Sequence, residues 1–246
     1  MRRCLGLLQQ TARGFVSDVR AEIASYGAME PHPQSLANVL KATEPWRAAK
    51  FLHTEYPIRC AERIQMIESI SSWQSVPELV DVHTRHLKAF SEMRNVDRKP
   101  TLERFTAVVD DIVNGNKDVV ALIAKAMHRL SKERSDEFDS KFVDTFLDEF
   151  LLNRLGSNVL LSQYLACADE DRPATGIIDP DCDVTALCKE TADEISRLCD
   201  HYTRLTPKID IKTHDVASKD DGDLKFAFIP AILRYIMQEI LKNSCR

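Results

Sequence analysis

A helical bundle that gives way to a mixed α/β segment is the fold that this 246-residue sequence predicts. Three observations point there. Apolar residues recur at three- and four-residue spacing over four long stretches before residue 170. A polar, proline-bearing link, Asp169 to Thr175, then changes the texture. Beyond it, helical patterns alternate with two short runs of period two, which mark strands.

The first helical pattern runs from Pro45 to Ser71, with Ile58, Ala61, Ile64 and Ile67 as its stripe. Pro57 lies inside it and predicts a kink, because proline lacks a donor and crowds the preceding turn. The second runs from Val76 to Met93, with Leu79, Val82, Leu87 and Phe90 turned inward. Leu102 to Leu130 carries the third, and Asn114-Gly115-Asn116 is the place for it to break. The fourth runs from Phe138 to Ala168, with Phe142, Phe146, Phe150 and Val159 on one side. Short polar links between long amphipathic helices predict an antiparallel four-helix bundle over residues 21–170.

Past the link, Gly176-Ile-Ile-Asp179-Pro180 leads into a helix from Val184 to Thr203. Strand candidates follow at Lys208 to Lys212, where Ile209 and Ile211 alternate with polar residues, and at Leu224 to Ile229. Lys219 to Asp223 is a charged loop between them. A closing helix starts at Pro230, where the missing donor of proline costs little, and continues to Arg246. This is a second, α/β domain over residues 176–246.

Composition narrows the classes. A hydrophobic content of 44% is ample for a packed core, and a net charge of −5 leaves no basic footprint for nucleic acid. No run approaches the ~18 apolar residues of a membrane span. The seven cysteines are odd in number and lack a Cys-x-x-Cys pair, which suits a reducing compartment better than a disulfide framework or zinc site. The start is basic: Arg2, Arg3 and Arg13 precede the first acid, Asp18, and Leu5, Leu8, Ala12 and Phe15 fall at helical spacing. Residues 1–20 therefore read as a mitochondrial targeting segment, with an ordinary frayed start as the alternative. Of the seven histidines only His83 and His86 stand at a close helical spacing, and with no third ligand nearby they read as surface residues.

The chemistry-bearing pair is Glu239 and Asn243. Four residues climb ~6 Å along a helix, so both side chains share a face. A carboxylate beside an amide oxygen suits a base next to a magnesium ligand, since magnesium takes oxygen donors and keeps few protein ligands when phosphates supply others. Lys242 and Arg246 lie beside them. The same spacing also occurs on an ordinary solvated helix.

A collinear series of segments places that pair in context. It comprises Phe51-Leu-His-Thr-Glu55-Tyr-Pro57-Ile-Arg59-Cys-Ala61, Lys117-Asp-Val-Val120, Phe146-Leu-Asp148, Asn153-Arg154-Leu-Gly156 and Leu161-Ser-Gln163-Tyr164-Leu165. It continues with Gly176-Ile-Ile-Asp179-Pro180-Asp-Cys182-Asp-Val184, Leu198-Cys199-Asp200 and Glu239-Ile-Leu-Lys242-Asn243. From Ser25 to Arg246 the chain resembles the mitochondrial pyruvate dehydrogenase kinase and branched-chain ketoacid dehydrogenase kinase family. Tyr235, where pyruvate-type kinases usually have histidine, leans to the branched-chain type, while Ile178 to Val184 leans to the pyruvate type. Both substrates stay open.

The resemblance implies a histidine-kinase-like ATPase domain after the bundle and a protein-serine kinase acting with ATP and magnesium in the mitochondrial matrix. Its substrate would be the E1 component of a 2-oxoacid dehydrogenase complex, which phosphorylation inactivates. Glu239 would be the general base, Asn243 the residue that holds magnesium on the ATP phosphates, and Lys242 and Arg246 cations facing nucleotide phosphate. Pro31 to Leu40 resembles the segment that helps form the pocket for the lipoyl group of the E2 core, with Gln34 where relatives carry leucine. Full-length relatives are dimers. The family closes its nucleotide site with an Asp-x-Gly-x-Gly motif downstream of the Glu-x-x-Lys-Asn box, whereas no glycine here lies beyond Gly222. Residues 1–246 are thus expected to be a truncated, catalytically incomplete kinase. The alternative is a non-catalytic interaction module that binds the dehydrogenase core or a full-length kinase.

Overall fold

The computed structural model describes residues 19–96, 102–173, 175–212 and 225–245. It is mostly helical, with one small antiparallel sheet. The elements are α1 (19–27), α2 (Leu36–Leu40), α3 (Pro45–Glu68), α4 (Pro77–Asn95), α5 (Leu102–Gly115), α6 (Val119–Glu133), α7 (Ser140–Ala168), β1 (Asp179–Asp183), α8 (Val184–Thr203), β2 (Lys225–Phe228) and α9 (Pro230–Ser244). The chain divides into two compact units, one of residues 1–33 and 44–169, the other of residues 34–43 and 170–246.

In the first unit α3 packs against α4 and α7, α6 against α4 and α7, and α5 against α3, α4 and α7. α3 and α4 both start on proline at the first turn, where its fixed backbone angle suits a helix and its missing donor has no intrahelical partner to lose. α3 continues through Pro57, which is buried. The long third pattern is two helices, broken where Asn116 and Lys117 form a turn. α7 is capped by Asp139, whose carboxylate accepts from the Phe142 amide at 2.7 Å.

Two apolar clusters fill this unit. One joins Leu52, Tyr56, Ile64, Phe90, Met93, Val109 and Tyr164; the other joins Ile67, Leu79, Val82, Ile123, Met127, Leu130 and Phe150. Along α3 the first cluster comes before the second, whereas along α4 and α7 the order reverses. α3 therefore runs against both of its neighbours.

A buried polar layer lies between the clusters. The Arg63 guanidinium donates to Asn153 Oδ1 at 2.8 Å and to Ser157 Oγ at 2.6 Å. His86 lies in the same layer, its Nδ1–H donating to the Val82 carbonyl at 2.7 Å. His83 is buried too, with Nε2 2.9 Å from Glu68 and its ring 4.2 Å from that of Trp73. Both histidines thus depart from the surface placement expected of them. Their rings pack inward while one nitrogen of each meets a local acceptor.

The second unit carries the sheet. β1 pairs antiparallel with β2, with Cys182 opposite Phe226 and an irregular register between Asp179 and Cys182. β1 has no period-two apolar pattern and contains Pro180, which is why the sequence conceals it. Residues 208–212 form no strand. Ile209 and Ile211 do alternate in burial with exposed Lys208, Asp210 and Lys212, but no neighbouring strand among the described residues completes a ladder. The second strand candidate begins at Lys225, since Leu224, like the loop 219–223 and the segment 1–18, lies outside the described residues. No helix among the described residues is long and apolar enough to cross a membrane.

Candidate functional site

The candidate residues sit on α9, which follows β2 after the single residue Ile229. Its position against α8 is set by charge. Arg234 forks between Glu190 and Glu194, at 2.7 and 2.9 Å, and Gln238 donates to Glu194 at 3.0 Å. Residues 234 and 238 advance along α9 as 190 and 194 advance along α8, so the two helices run parallel. These acids at i and i+4 form a ready acceptor row for a guanidinium fork. This seating network was not anticipated from the sequence, although the Glu190/Glu194 spacing was a visible signal for it.

With Arg234 and Gln238 turned to α8, helical geometry turns Tyr235, Glu239 and Asn243 to another face. Tyr235 is 63% exposed, the Glu239 side chain is 42% exposed, and Asn243 is exposed. Lys242 reaches back one turn and ion-pairs with the Glu239 carboxylate. Glu239, Lys242 and Asn243 lie in the last two turns of the helix, where unpaired carbonyls give partial negative charge. That end favours a cation, whether the Lys242 ammonium or a metal. It does not favour phosphate, which needs donors from elsewhere.

The structure thus brings Glu239, Lys242 and Asn243 together, while Arg246 lies outside the described residues. The donor set fits magnesium in kind, being one carboxylate and one amide oxygen within reach of solvent. No group of three or more His, Cys, Asp or Glu among the described residues is arranged to hold a metal, so any ion here would draw most of its ligands from its phosphate partner.

The segment 31–40 divides between the two units. His32 is held by Glu55, its Nδ1 2.5 Å from Oε1 and its backbone amide donating to Oε2 at 3.3 Å. Ser35 caps α2 by accepting from the Asn38 amide at 3.2 Å, and Val39 is buried.

The family model for mitochondrial branched-chain alpha-ketoacid dehydrogenase kinase matches residues 30–179. The chain belongs to this family. Among curated proteins it is similar to the mitochondrial pyruvate dehydrogenase (acetyl-transferring) kinase of Drosophila melanogaster, 25% identical over 90% of this chain and 57% of the relative. Isozyme 3 of Homo sapiens is 25% identical over 93% of this chain and 60% of the relative. For isozyme 1 of Rattus norvegicus the identity is 26%, covering 94% and 56%. The chain therefore spans less than two thirds of the length of these relatives. The family match ends at residue 179, before α8 and α9.

Proposed function

We propose that this chain is the regulatory bundle and the first part of the ATP domain of a mitochondrial matrix protein-serine kinase. Its substrate is the E1 component of a 2-oxoacid dehydrogenase complex, pyruvate or branched-chain. The first unit corresponds to the family's four-helix bundle, with α5 and α6 as one broken helix. The second corresponds to the start of a histidine-kinase-like α/β domain. The bundle docks on the lipoyl-bearing E2 core, and dimerisation belongs to the full-length form. One observation carries the reading: in a member of this family, Glu239 and Asn243 share one accessible face of α9.

In this reading Glu239 accepts the proton of the substrate serine hydroxyl as the oxygen attacks. A carboxylate does this late, when bond formation has made the hydroxyl acidic. Asn243 directs its amide oxygen toward the metal position, and Lys242 exchanges its Glu239 contact for phosphate, which leaves the carboxylate free. Arg246 adds a second cation beside it. Magnesium, when bound with ATP, neutralises charge on the transferring phosphoryl group. The backbone donors for the phosphates belong to the glycine motifs that the family carries downstream of the Asn243 position. Residues 1–246 alone therefore bind ATP weakly and transfer no phosphate, because phosphoryl transfer depends chiefly on positioning and charge stabilisation.

The test is a chimera in which residues 1–246 continue into the C-terminal part of a curated relative. Mass spectrometry of E1 after incubation with ATP and magnesium should show phosphoserine from the chimera and none from residues 1–246. An unmodified E1 in both samples, with the chimera folded and binding ATP, contradicts the kinase reading. The non-catalytic docking module is then favoured. Both large apolar clusters lie in the first unit, which could serve as a docking module without the ATP domain.

A further inference from the structure

Two kinds of contact seat α9, and they do different things. Leu233, Met237 and Leu241 recur at four-residue spacing and are half-buried. Apolar burial holds helices together without direction, so such a seam alone leaves a helix free to roll about its axis. Directional contacts remove that freedom. The Glu194 carboxylate uses both of its oxygens: Oε1 accepts from Arg234 Nη1 at 2.9 Å, and Oε2 accepts from Gln238 Nε2 at 3.0 Å. These partners stand one turn apart on α9, so one carboxylate grips two successive turns. Glu190 adds a single contact, from Arg234 Nη2 at 2.7 Å, and is the more exposed of the two acids. The side chains of the two ion pairs are 33% to 62% exposed, so the pairs contribute little to stability. What they fix is orientation. A group about 5–6 Å from a helix axis moves by about 1 Å when the helix rolls by about 10°. A misplacement of about 1 Å can cost about 10²-fold in rate.

We propose that Glu194 is a positioning residue for phosphoryl transfer: by holding Arg234 and Gln238 it sets the roll of α9, and so aims Glu239 at the substrate hydroxyl and Asn243 at the metal position. The proposal rests on the kinase reading above. Among the described residues Glu194 bonds to Arg234 and Gln238 and to neither Glu239 nor Asn243, so it acts through the helix alone. Glu190, with its single and more exposed contact, has the smaller part.

The experiment places Glu194→Ala, Glu190→Ala and Arg234→Lys in the chimera that completes the ATP domain, and Glu194→Ala also in residues 1–246. In the chimera, Glu194→Ala should lower kcat for E1 phosphorylation about tenfold or more, while KM for E1 stays within about twofold. Arg234→Lys keeps the charge and loses the planar fork, so its kcat should fall between those of Glu194→Ala and the parent. Glu190→Ala removes one exposed contact and should change kcat by about threefold or less. The double variant Glu194→Ala, Arg234→Ala should be little slower than Glu194→Ala, because both changes break the same interaction. In residues 1–246, hydrogen exchange at 235–243 should quicken about threefold or more in Glu194→Ala, with the melting temperature within about 3 °C of the parent. Lost rate with kept stability separates positioning from support of the fold. Should Glu194→Ala misfold, Glu194→Gln, which keeps the length and one carbonyl acceptor, should still show part of the loss in kcat. A folded Glu194→Ala chimera with kcat within about twofold of the parent overturns the proposal and leaves the kinase reading intact, as does one that melts more than about 5 °C lower. A parent chimera that transfers no phosphate overturns both.

Discussion

α3 and α9 are both apolar-rich helices that begin on proline, yet they end in opposite environments. More than half of the 24 residues of α3 are buried, including Arg63 and Glu55, whereas none of the 15 residues of α9 is buried. Ile236 and Ile240 of α9 are 42% and 54% exposed, while Ile64 and Ile67 of α3 are fully covered. A core packed from several helices supplies stability by area, about 25 cal/mol per Å² removed from water. Among the described residues α9 packs chiefly on α8, with half-buried Leu233, Met237 and Leu241 beside the Arg234 fork and the Gln238 amide. The lesson is that the stabilising helices and the candidate chemical helix are different parts of the chain, so they can be broken separately.

The largest separation should come from truncating the core. Phe150→Ala or Leu79→Ala removes a fully buried side chain, and unfolding by denaturant should show a loss of about 2–5 kcal/mol. Ile240→Ala on α9 should change stability by about 0.5 kcal/mol or less. Comparable losses at the two sites would erase the distinction between the helices.

A second separation uses acid. Burial, and next the Arg63 charge, push His86 down to about 3. The unfolded chain takes up a proton near the ordinary value of about 6.5, while the folded chain resists until near 3. The unfolded state binds more protons in that window, so stability falls as pH drops from about 6.5 toward 3, by at most about 1.4 kcal/mol per pH unit from this group. His86→Asn keeps a donor for the Val82 carbonyl and cannot ionise. Thermal unfolding across that range should be flatter for it. Glu78, held low first by its bond to Lys125, acts in the same direction from the ordinary carboxylate value of 4.5 downward, so the range from about 6.5 to 4.5 reports His86 apart from it.

The smallest effect belongs to the second unit. Arg204 caps α8 in the left-handed region at φ 60°, a conformation that favours glycine. Arg204→Gly should raise the melting temperature slightly, by about 0.5–1 kcal/mol of stability, in proportion to the strain relieved. A lower melting temperature would show that the arginine side chain contributes more than its backbone costs.

Much of the helical frame was legible because its cores repeat at helical spacing. The stripe Ile58, Ala61, Ile64, Ile67 is buried throughout, and the break between α5 and α6 comes at Asn116, the end of the Asn114-Gly115-Asn116 run, with Asn114 and Gly115 still helical. α8 keeps the limits Val184 and Thr203 because Asp183 caps it and accepts from the Ala186 amide at 2.8 Å. Periodicity failed where it carried no signal. β1 is polar and contains Pro180, so only its pairing with β2 makes it a strand. His83 and His86 looked exposed because spacing cannot say whether a polar nitrogen will find a partner inside. At the candidate site, the shared face of Glu239 and Asn243 followed from four-residue spacing, whereas the Lys242 ion pair and the Arg234 fork depend on rotamers and on a neighbouring helix.

The central claim is that α9 holds the base and the metal ligand. The chimera that completes the ATP domain allows the most direct measurement, which is ATP affinity and phosphate transfer to E1 in Glu239→Gln and Asn243→Ala side by side. Glu239→Gln should lose transfer by a factor of about 10² or more with ATP affinity little changed, as removal of a general base predicts. Asn243→Ala should weaken magnesium-dependent ATP binding as well as transfer. Full transfer by Glu239→Gln, or transfer by residues 1–246 alone that Asn243→Ala abolishes, would contradict the account.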